Sequence, residues 1–282
     1  MTMNAEVEEP VTRWPFYSDP QFADVRGIRT AYRRAGDGDA ILYLHGAGLT
    51  RRWLPFHEQL SARGDLIVPE HPGFGDTKPM PPWLRSVDDL VLHYDDLLEV
   101  LGVGDIHLVG HSLGGWIAAA FAVAYPRRIK TLTLIAPMGL RVPGSPITDF
   151  FRLTPEEEGD ALLNGYAERY AEYLEEGDPL EARIQGYLEL TTTARLAFSP
   201  RYDVRLDRTL ARVTAPALVV AVDDDRIIPR AHCDRYAELL PNARLQVLGG
   251  GEVPTGHLPM VQEPQALADV IGAFITSSGS RS

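Results

Sequence analysis

Three short stretches of this chain hold residue types that together carry out nucleophilic chemistry. The first is Gly110-His111-Ser112-Leu113-Gly114-Gly115, after the apolar run His107-Leu108-Val109. A serine hydroxyl can act as a nucleophile when it stands on a sharp strand-to-helix turn within reach of a base. Such a turn needs small neighbours, which Gly110 and Gly114 supply. A helix starting there adds free N–H groups and positive dipole beside any developing negative charge. A glycine-rich turn with a helix-capping serine gives the same string. The apolar run before it and Ala118-Ala119-Ala120 after it favour Ser112 as nucleophile.

The second stretch is Asp223-Asp224-Asp225-Arg226-Ile227-Ile228-Pro229, after the apolar run Ala217–Val222. A carboxylate at a strand's end can hold a histidine's Nδ1–H and stabilise the imidazolium that forms. The spacing to Ile227-Ile228-Pro229 favours Asp225, and Asp223 and Asp224 read as solvated loop acids. The third is Gly256-His257-Leu258-Pro259, where His257 would bend back over the sheet edge as the base. The chain order Ser112, Asp225, His257 is not that of chymotrypsin-like or subtilisin-like proteases. A fourth stretch, His45-Gly46-Ala47-Gly48, lets the backbone curl so that an N–H faces an attacked carbonyl. The backbone N–H groups of Ala47 and Leu113 are the expected oxyanion donors.

Eight histidines compete for the role of base. The side chain of His111 should point away from Ser112, His45 belongs to the oxyanion turn, and His107 starts a strand. His57, His93 and His232 fall in helical patterns and read as surface or packing residues. His71, in Glu70-His71-Pro72-Gly73, is the other candidate to touch a substrate.

The elements that must position these residues follow from the apolar runs. Ala40–Leu44, Leu66–Val68, Ile106–Val109, Leu132–Ile135, Ala217–Val222 and Leu245–Leu248 lack polar alternation, as strands buried on both faces do. Helical patterns lie between them at Trp53–Arg63, Val87–Leu101, Leu113–Tyr125, Ala231–Leu240 and Pro264–Ile275. Alternation of this kind gives an α/β fold with a mostly parallel sheet flanked by helices. Two further strands, Phe22–Arg26 and Ile28–Arg33, straddle Gly27 as an antiparallel edge hairpin, making eight. The rhythm breaks over residues 139–212, which are helical, aromatic and acidic. This reads as a helical cap over the carboxyl edge, where open α/β sheets bind ligands. Residues 1–138 and 213–282 then form one core domain with the cap inserted.

Composition narrows the partners. The chain has 282 residues and a formal net charge of −12. Acidic surfaces repel phosphate backbones and anionic lipids, so no nucleic acid and no membrane partner is expected. The single cysteine, Cys233, allows no intrachain disulfide and no cysteine cluster for zinc, and no metal is expected. Residues 1–15 are acidic and broken by prolines, unlike a signal peptide, and no run is long and apolar enough to span a bilayer. Cytoplasm is the expected location, and the tail Ser277–Ser282 is expected to fray.

Taken in order, these motifs resemble the α/β-hydrolase family. The matching pieces are His45-Gly46-Ala47-Gly48, Pro72-Gly73-Phe74-Gly75, Gly110 to Gly115, Asp225 to Pro229, and Gly256-His257, across roughly residues 22–276. The resemblance implies Ser112 as nucleophile, Asp225 as acid, His257 as base, a lid after the sixth strand, and no cofactor. Val222 stands where the family commonly has glycine, and residues 249–255 are longer than usual. The expected activity is hydrolysis of a mainly apolar ester or lactone, with Trp53, His71, Phe74 and Trp116 as pocket candidates. Two other readings stand beside it. Carbon–carbon bond hydrolases of ring-cleavage products look similar, but Leu258-Pro259 replaces their usual aromatic residue after the histidine, and Arg195 would be a carboxylate ligand. A low-turnover ligand receptor of the same fold is the other. A homo-oligomer is left open.

Overall fold

A computed structural model describes residues 14–279 of the chain. Its strands are β1 (Gln21–Val25), β2 (Ile28–Ala35), β3 (Ala40–Leu44), β4 (Asp65–Pro69), β5 (Ile106–His111), β6 (Ile129–Ile135), β7 (Ala217–Val222) and β8 (Ala243–Leu248). They form a single eight-stranded sheet in the order β1-β2-β4-β3-β5-β6-β7-β8. β1 and β2 pair antiparallel, as do β2 and β4, and every other pairing is parallel.

The helices are α1 (Pro55–Ser61), α2 (Val87–Val100), α3 (Leu113–Ala124), α4 (Pro155–Leu162), α5 (Ala171–Leu174), α6 (Pro179–Ala197), α7 (Leu206–Thr209), α8 (Arg230–Leu239), α9 (Pro259–Gln262) and α10 (Pro264–Gly279). Successive side chains of a strand point to opposite faces, and β3 shows the result. Leu42 and Leu44 pack into a core with Tyr94 of α2, Ile117 of α3 and Tyr236 of α8. Ile41 and Tyr43 pack into a second core with Phe56 of α1, Met260 of α9 and Ile271 of α10. Full burial of such a side chain stabilises the fold by roughly 1.5–3 kcal/mol. The sheet is thus sandwiched, which is why β5 and β7 are buried at every residue.

β8 departs from the sequence reading. It pairs only with β7, so it is an edge strand, and Arg244 to Val247 are exposed despite Leu245 and Val247. The C-terminal segment also differs: α10 continues through Ser277 to Gly279, and Ser280–Ser282 lie outside the described residues. Residues 1–13, most of the segment compared with signal peptides, lie outside them too.

Between β6 and β7 the chain leaves the sheet for α4 to α7. This segment is tied to loops at the carboxyl edge. Glu189 of α6 accepts from Thr50 Oγ1 at 2.6 Å and from the Gly75 N–H at 3.0 Å. Thr192 Oγ1 donates to the Gly73 carbonyl, and Arg52 pairs with Glu176 at 2.7 Å.

Candidate active site

The turn between β5 and α3 holds Ser112 in a left-handed backbone conformation, φ 52° and ψ −114°. A non-glycine residue there is strained and persists only where its surroundings fix it. Here the Ser112 N–H donates to the Ile135 carbonyl at 2.9 Å, and its own carbonyl accepts from the Met138 N–H at 3.1 Å. The turn closes because its glycines allow contact that a side chain would block. A Cβ on Gly114 would sit 2.1 Å from the Leu44 carbonyl oxygen, and one on Gly110 would sit 2.3 Å from that of Gly114.

Three loops at the carboxyl ends of β5, β7 and β8 bring Ser112, Asp225 and His257 together. Ser112 Oγ lies 2.9 Å from His257 Nε2, and His257 Nδ1 lies 2.9 Å from Asp225 Oδ2. The other Asp225 oxygen accepts the Ile227 and Ile228 N–H groups, each at 2.8 Å. With Nδ1–H donating to the carboxylate, Nε2 is left to accept the serine proton, the arrangement that activates a hydroxyl. The side chains of His257 and Asp225 are each 4% exposed, so water screens the pair little.

Ala47 borders the same chamber as Ser112 and His257. No acceptor takes its N–H among the described residues. Leu113 is the first residue of α3, where an amide has no intrahelical acceptor. The turn bearing Ala47 is held by an interlocked histidine pair. The His71 N–H donates to His45 Nε2 at 3.1 Å, and His71 Nε2 donates to the His45 carbonyl at 2.9 Å. The rings stack with centroids 3.8 Å apart, and burial pushes His45 down to about 4, keeping it neutral.

None of the four pocket candidates lines the chamber. His71 is fully buried, with Nδ1 bonded to Tyr94 Oη. Phe74 is fully buried and packs against both histidines. Trp116 lies in the core against Gly139. Trp53 donates through Nε1 to Glu58 at 2.8 Å and packs beside α1. The sheet interior claims three of these aromatic rings. Arg195 also borders neither cavity; it is exposed near Met80.

Three residues have roles that sequence reasoning missed. Asp223 is more than a solvated acid: it accepts the Thr255 N–H at 2.6 Å and the Gly250 N–H at 3.2 Å, pinning the loop that carries His257. The signal was available, since an acid at the end of one strand lies beside the glycine-rich loop of its neighbour. Asp224 does match the solvated reading, half exposed and 3.5 Å from Arg226. His111 Nε2 donates to the His257 carbonyl at 2.8 Å, and burial pushes its pKa well down. His57, read as a surface or packing residue, is buried and borders the chamber.

The chamber encloses about 200 Å³. A wider groove of about 930 Å³ shares Ala47, Gly48, Leu49 and Phe150 with it and runs along Leu180, Ile184 and Tyr187 of α6. Among the described residues no group of three His, Cys, Asp or Glu side chains could hold a metal ion. No helix among them is long and apolar enough to cross a membrane.

Residues 41–270 match the alpha/beta hydrolase family, and the chain belongs to it. An uncharacterized protein of Mycobacterium tuberculosis is 27% identical over 289 residues, covering 92% of this chain and 81% of its own. The 2-hydroxy-6-oxononadienedioate/2-hydroxy-6-oxononatrienedioate hydrolase of Burkholderia vietnamiensis is 28% identical over 241 residues, covering 79% of this chain and 83% of that one. The meta-cleavage product hydrolase of Pseudomonas fluorescens IP01 superposes with a TM-score of 0.74 at 21% identity, over 92% of this chain and 98% of that one. The fold is that of an α/β hydrolase, and the chain is a hydrolase.

Proposed function

We propose that this hydrolase works through an acyl-enzyme at Ser112. His257 Nε2 takes the hydroxyl proton as Oγ attacks a carbonyl carbon, then gives it to the leaving group. A water deprotonated by His257 releases the acid and restores the serine. Asp225 holds the imidazole in the required tautomer and stabilises its protonated form. The Ala47 and Leu113 N–H groups receive the oxyanion, a contribution of about 3–4 kcal/mol per donor. The observation that carries this reading is the hydrogen-bonded chain from Asp225 through His257 to a strained Ser112.

The substrate is a small carboxylic ester or lactone, and the segment between β6 and β7 is its lid. Glu158 and Leu162 of α4, with Leu174 of α5, border the chamber and support the lid assignment. A cytoplasmic location belongs to the same proposal. The ring-cleavage hydrolase relative supports a second reading, scission of a carbon–carbon bond next to a carbonyl. Both readings use the same three residues.

The test is hydrolysis of a short-chain aryl ester by wild type and by Ser112→Ala, with dienoate ring-cleavage products run beside it. We expect ester turnover in wild type and its loss in the variant by about 10⁴-fold or more. Turnover of the dienoates alone would move the assignment to carbon–carbon scission. Undiminished turnover in Ser112→Ala would remove Ser112 from the mechanism, and tight binding without turnover would favour a receptor.

A further inference from the structure

The polar side of the inner chamber holds a buried cation without an ion-pair partner. Three arginines line it: Arg33, Arg51 and Arg52. Arg33 pairs with Glu70 at 2.7 Å, and Arg52 pairs with Glu176 at 2.7 Å. Among the described residues, the Arg51 guanidinium has neither a carboxylate within 4.0 Å nor a hydrogen bond. The residue is only 9% exposed. A buried cation without a counterion is unfavourable, and proteins rarely keep one.

Arg51 is also held in place. Its N–H donates to Glu70 at 3.0 Å, and its carbonyl accepts the Ser18 N–H at 3.2 Å. Its guanidinium lies over the Trp14 ring at 5.1 Å. A guanidinium against an aromatic ring keeps its N–H donors, which can grip a carboxylate with two parallel bonds. Arg51 follows Ala47 on the same loop, so both border the chamber that holds Ser112.

The rest of the lining offers donors. Arg33 Nη2, Arg52 Nε and His57 Nε2 are buried without acceptors, and no buried acceptor of a lining residue lacks a donor. Arg33 Nη2 approaches Asp76 only to 3.9 Å. His57 Nδ1 accepts the Leu54 N–H, so its proton sits on Nε2. Glu158 also lines the chamber, but among the described residues no arginine nitrogen lies within 4.0 Å of its carboxylate. It therefore forms no ion pair with Arg51.

We propose that Arg51 is a carboxylate-binding residue of the chamber, so that the substrate carries an anionic carboxylate as well as the carbonyl attacked at Ser112. The proposal rests on the hydrolase reading above and narrows its substrate class. A net charge of −12 repels anions at long range, so such selectivity must come from a local cation.

The test compares two esters of equal length, mono-4-nitrophenyl adipate and 4-nitrophenyl hexanoate, in wild type, Arg51→Gln and Arg51→Lys. Wild type should prefer the adipate in kcat/KM by about tenfold or more, as one charged hydrogen-bonded contact allows. Arg51→Gln should lose that ratio and Arg51→Lys should keep part of it. A wild-type ratio of one or less overturns the proposal without any variant, and so does a ratio that survives in Arg51→Gln. A binding arm separates this from the reading it rests on. Monomethyl adipate and dimethyl adipate are titrated calorimetrically into Ser112→Ala, with and without Arg51→Gln. If no ester is turned over, the hydrolase reading fails, while tighter binding of the monoanion that depends on Arg51 still supports the subsite. Equal or undetectable binding of the monoanion overturns it.

Discussion

Replacing Asp225 by Asn tests the geometry of the site most sharply, because the structure dictates how the new amide must sit. Asp225 Oδ1 accepts two N–H groups, from Ile227 and Ile228. An amide nitrogen placed there would face two donors and leave both unpaired, at about 1–3 kcal/mol each. The Asn oxygen therefore takes that position, and its NH₂ falls where Oδ2 stood, 2.9 Å from His257 Nδ1. Nδ1 must then accept, so the ring proton moves to Nε2, facing Ser112 Oγ. An imidazole in that tautomer cannot take the serine proton. The expected loss in kcat/KM is about 10⁴-fold, or about 5 kcal/mol of transition-state stabilisation, with little change in folding. The neighbouring acids give the contrast. Asp224 makes only a half-exposed pair with Arg226, so Asp224→Asn should stay within about twofold. Asp223→Asn keeps one of two bonds to the loop bearing His257 and should lose about 10- to 100-fold through misplacement. The assay is aryl-ester hydrolysis for all three variants, with thermal melts to confirm folding. A folded Asp225→Asn within tenfold of wild type would refute the reasoning, as would an equal loss at Asp224.

Two further outcomes follow from buried titratable groups. Glu189 accepts all three of its hydrogen bonds, from Thr50, Gly75 and Gln185, on one oxygen, and burial pushes its carboxyl up. A glutamine oxygen can accept the same three, so Glu189→Gln should change stability by less than about 1 kcal/mol, whereas Glu189→Ala should lose about 3 kcal/mol or more; matching melting temperatures for the two would contradict this. Burial also pushes His45 and His93 to about 4 and His57 to about 3. Above pH 6.5 these rings are neutral folded or unfolded; as the pH falls below 6.5 the unfolded chain takes up protons that the folded one refuses. Stability is therefore full above 6.5 and falls as the pH drops toward 4, by on the order of 2 kcal/mol per histidine at pH 5. Melting curves between pH 7.5 and 5 check this, and a flat profile would argue against burial of the neutral rings.

The parts of the fold that follow from local pattern were legible in the sequence. Apolar runs ending in glycine turns locate the strands, and the strain at Ser112 follows from a serine between glycines at a strand's end. What depends on sheet order was not. Leu245 and Val247 look like core residues, yet β8 is the last strand and leaves them exposed. Trp116 and Phe74 look like pocket residues because they flank the motifs, yet long side chains beside a tight turn are drawn into the sheet interior. The pairing of Arg33 with Glu70 and of Arg52 with Glu176 spans 37 and 124 residues, so no spacing rule announces which arginine is left over.

The three loops of the site are aligned by hydrogen bonds from side chains to backbone groups. Asp225 is oriented by two amides of its own loop, and Asp223 reaches from the end of β7 to two amides of the loop after β8. His111, next to the serine, donates to the carbonyl of His257 itself. The bonds of Asp223 and His111 each join one loop to the next, so they tie the loops after β5 and β7 to the loop after β8. A serine hydroxyl, an imidazole and a carboxylate spaced by 2.9 Å contacts tolerate little independent motion, since a displacement of about 1 Å can lower a rate about 100-fold. The residues beside the triad, Asp223 and His111, therefore supply rigidity that the triad cannot supply for itself.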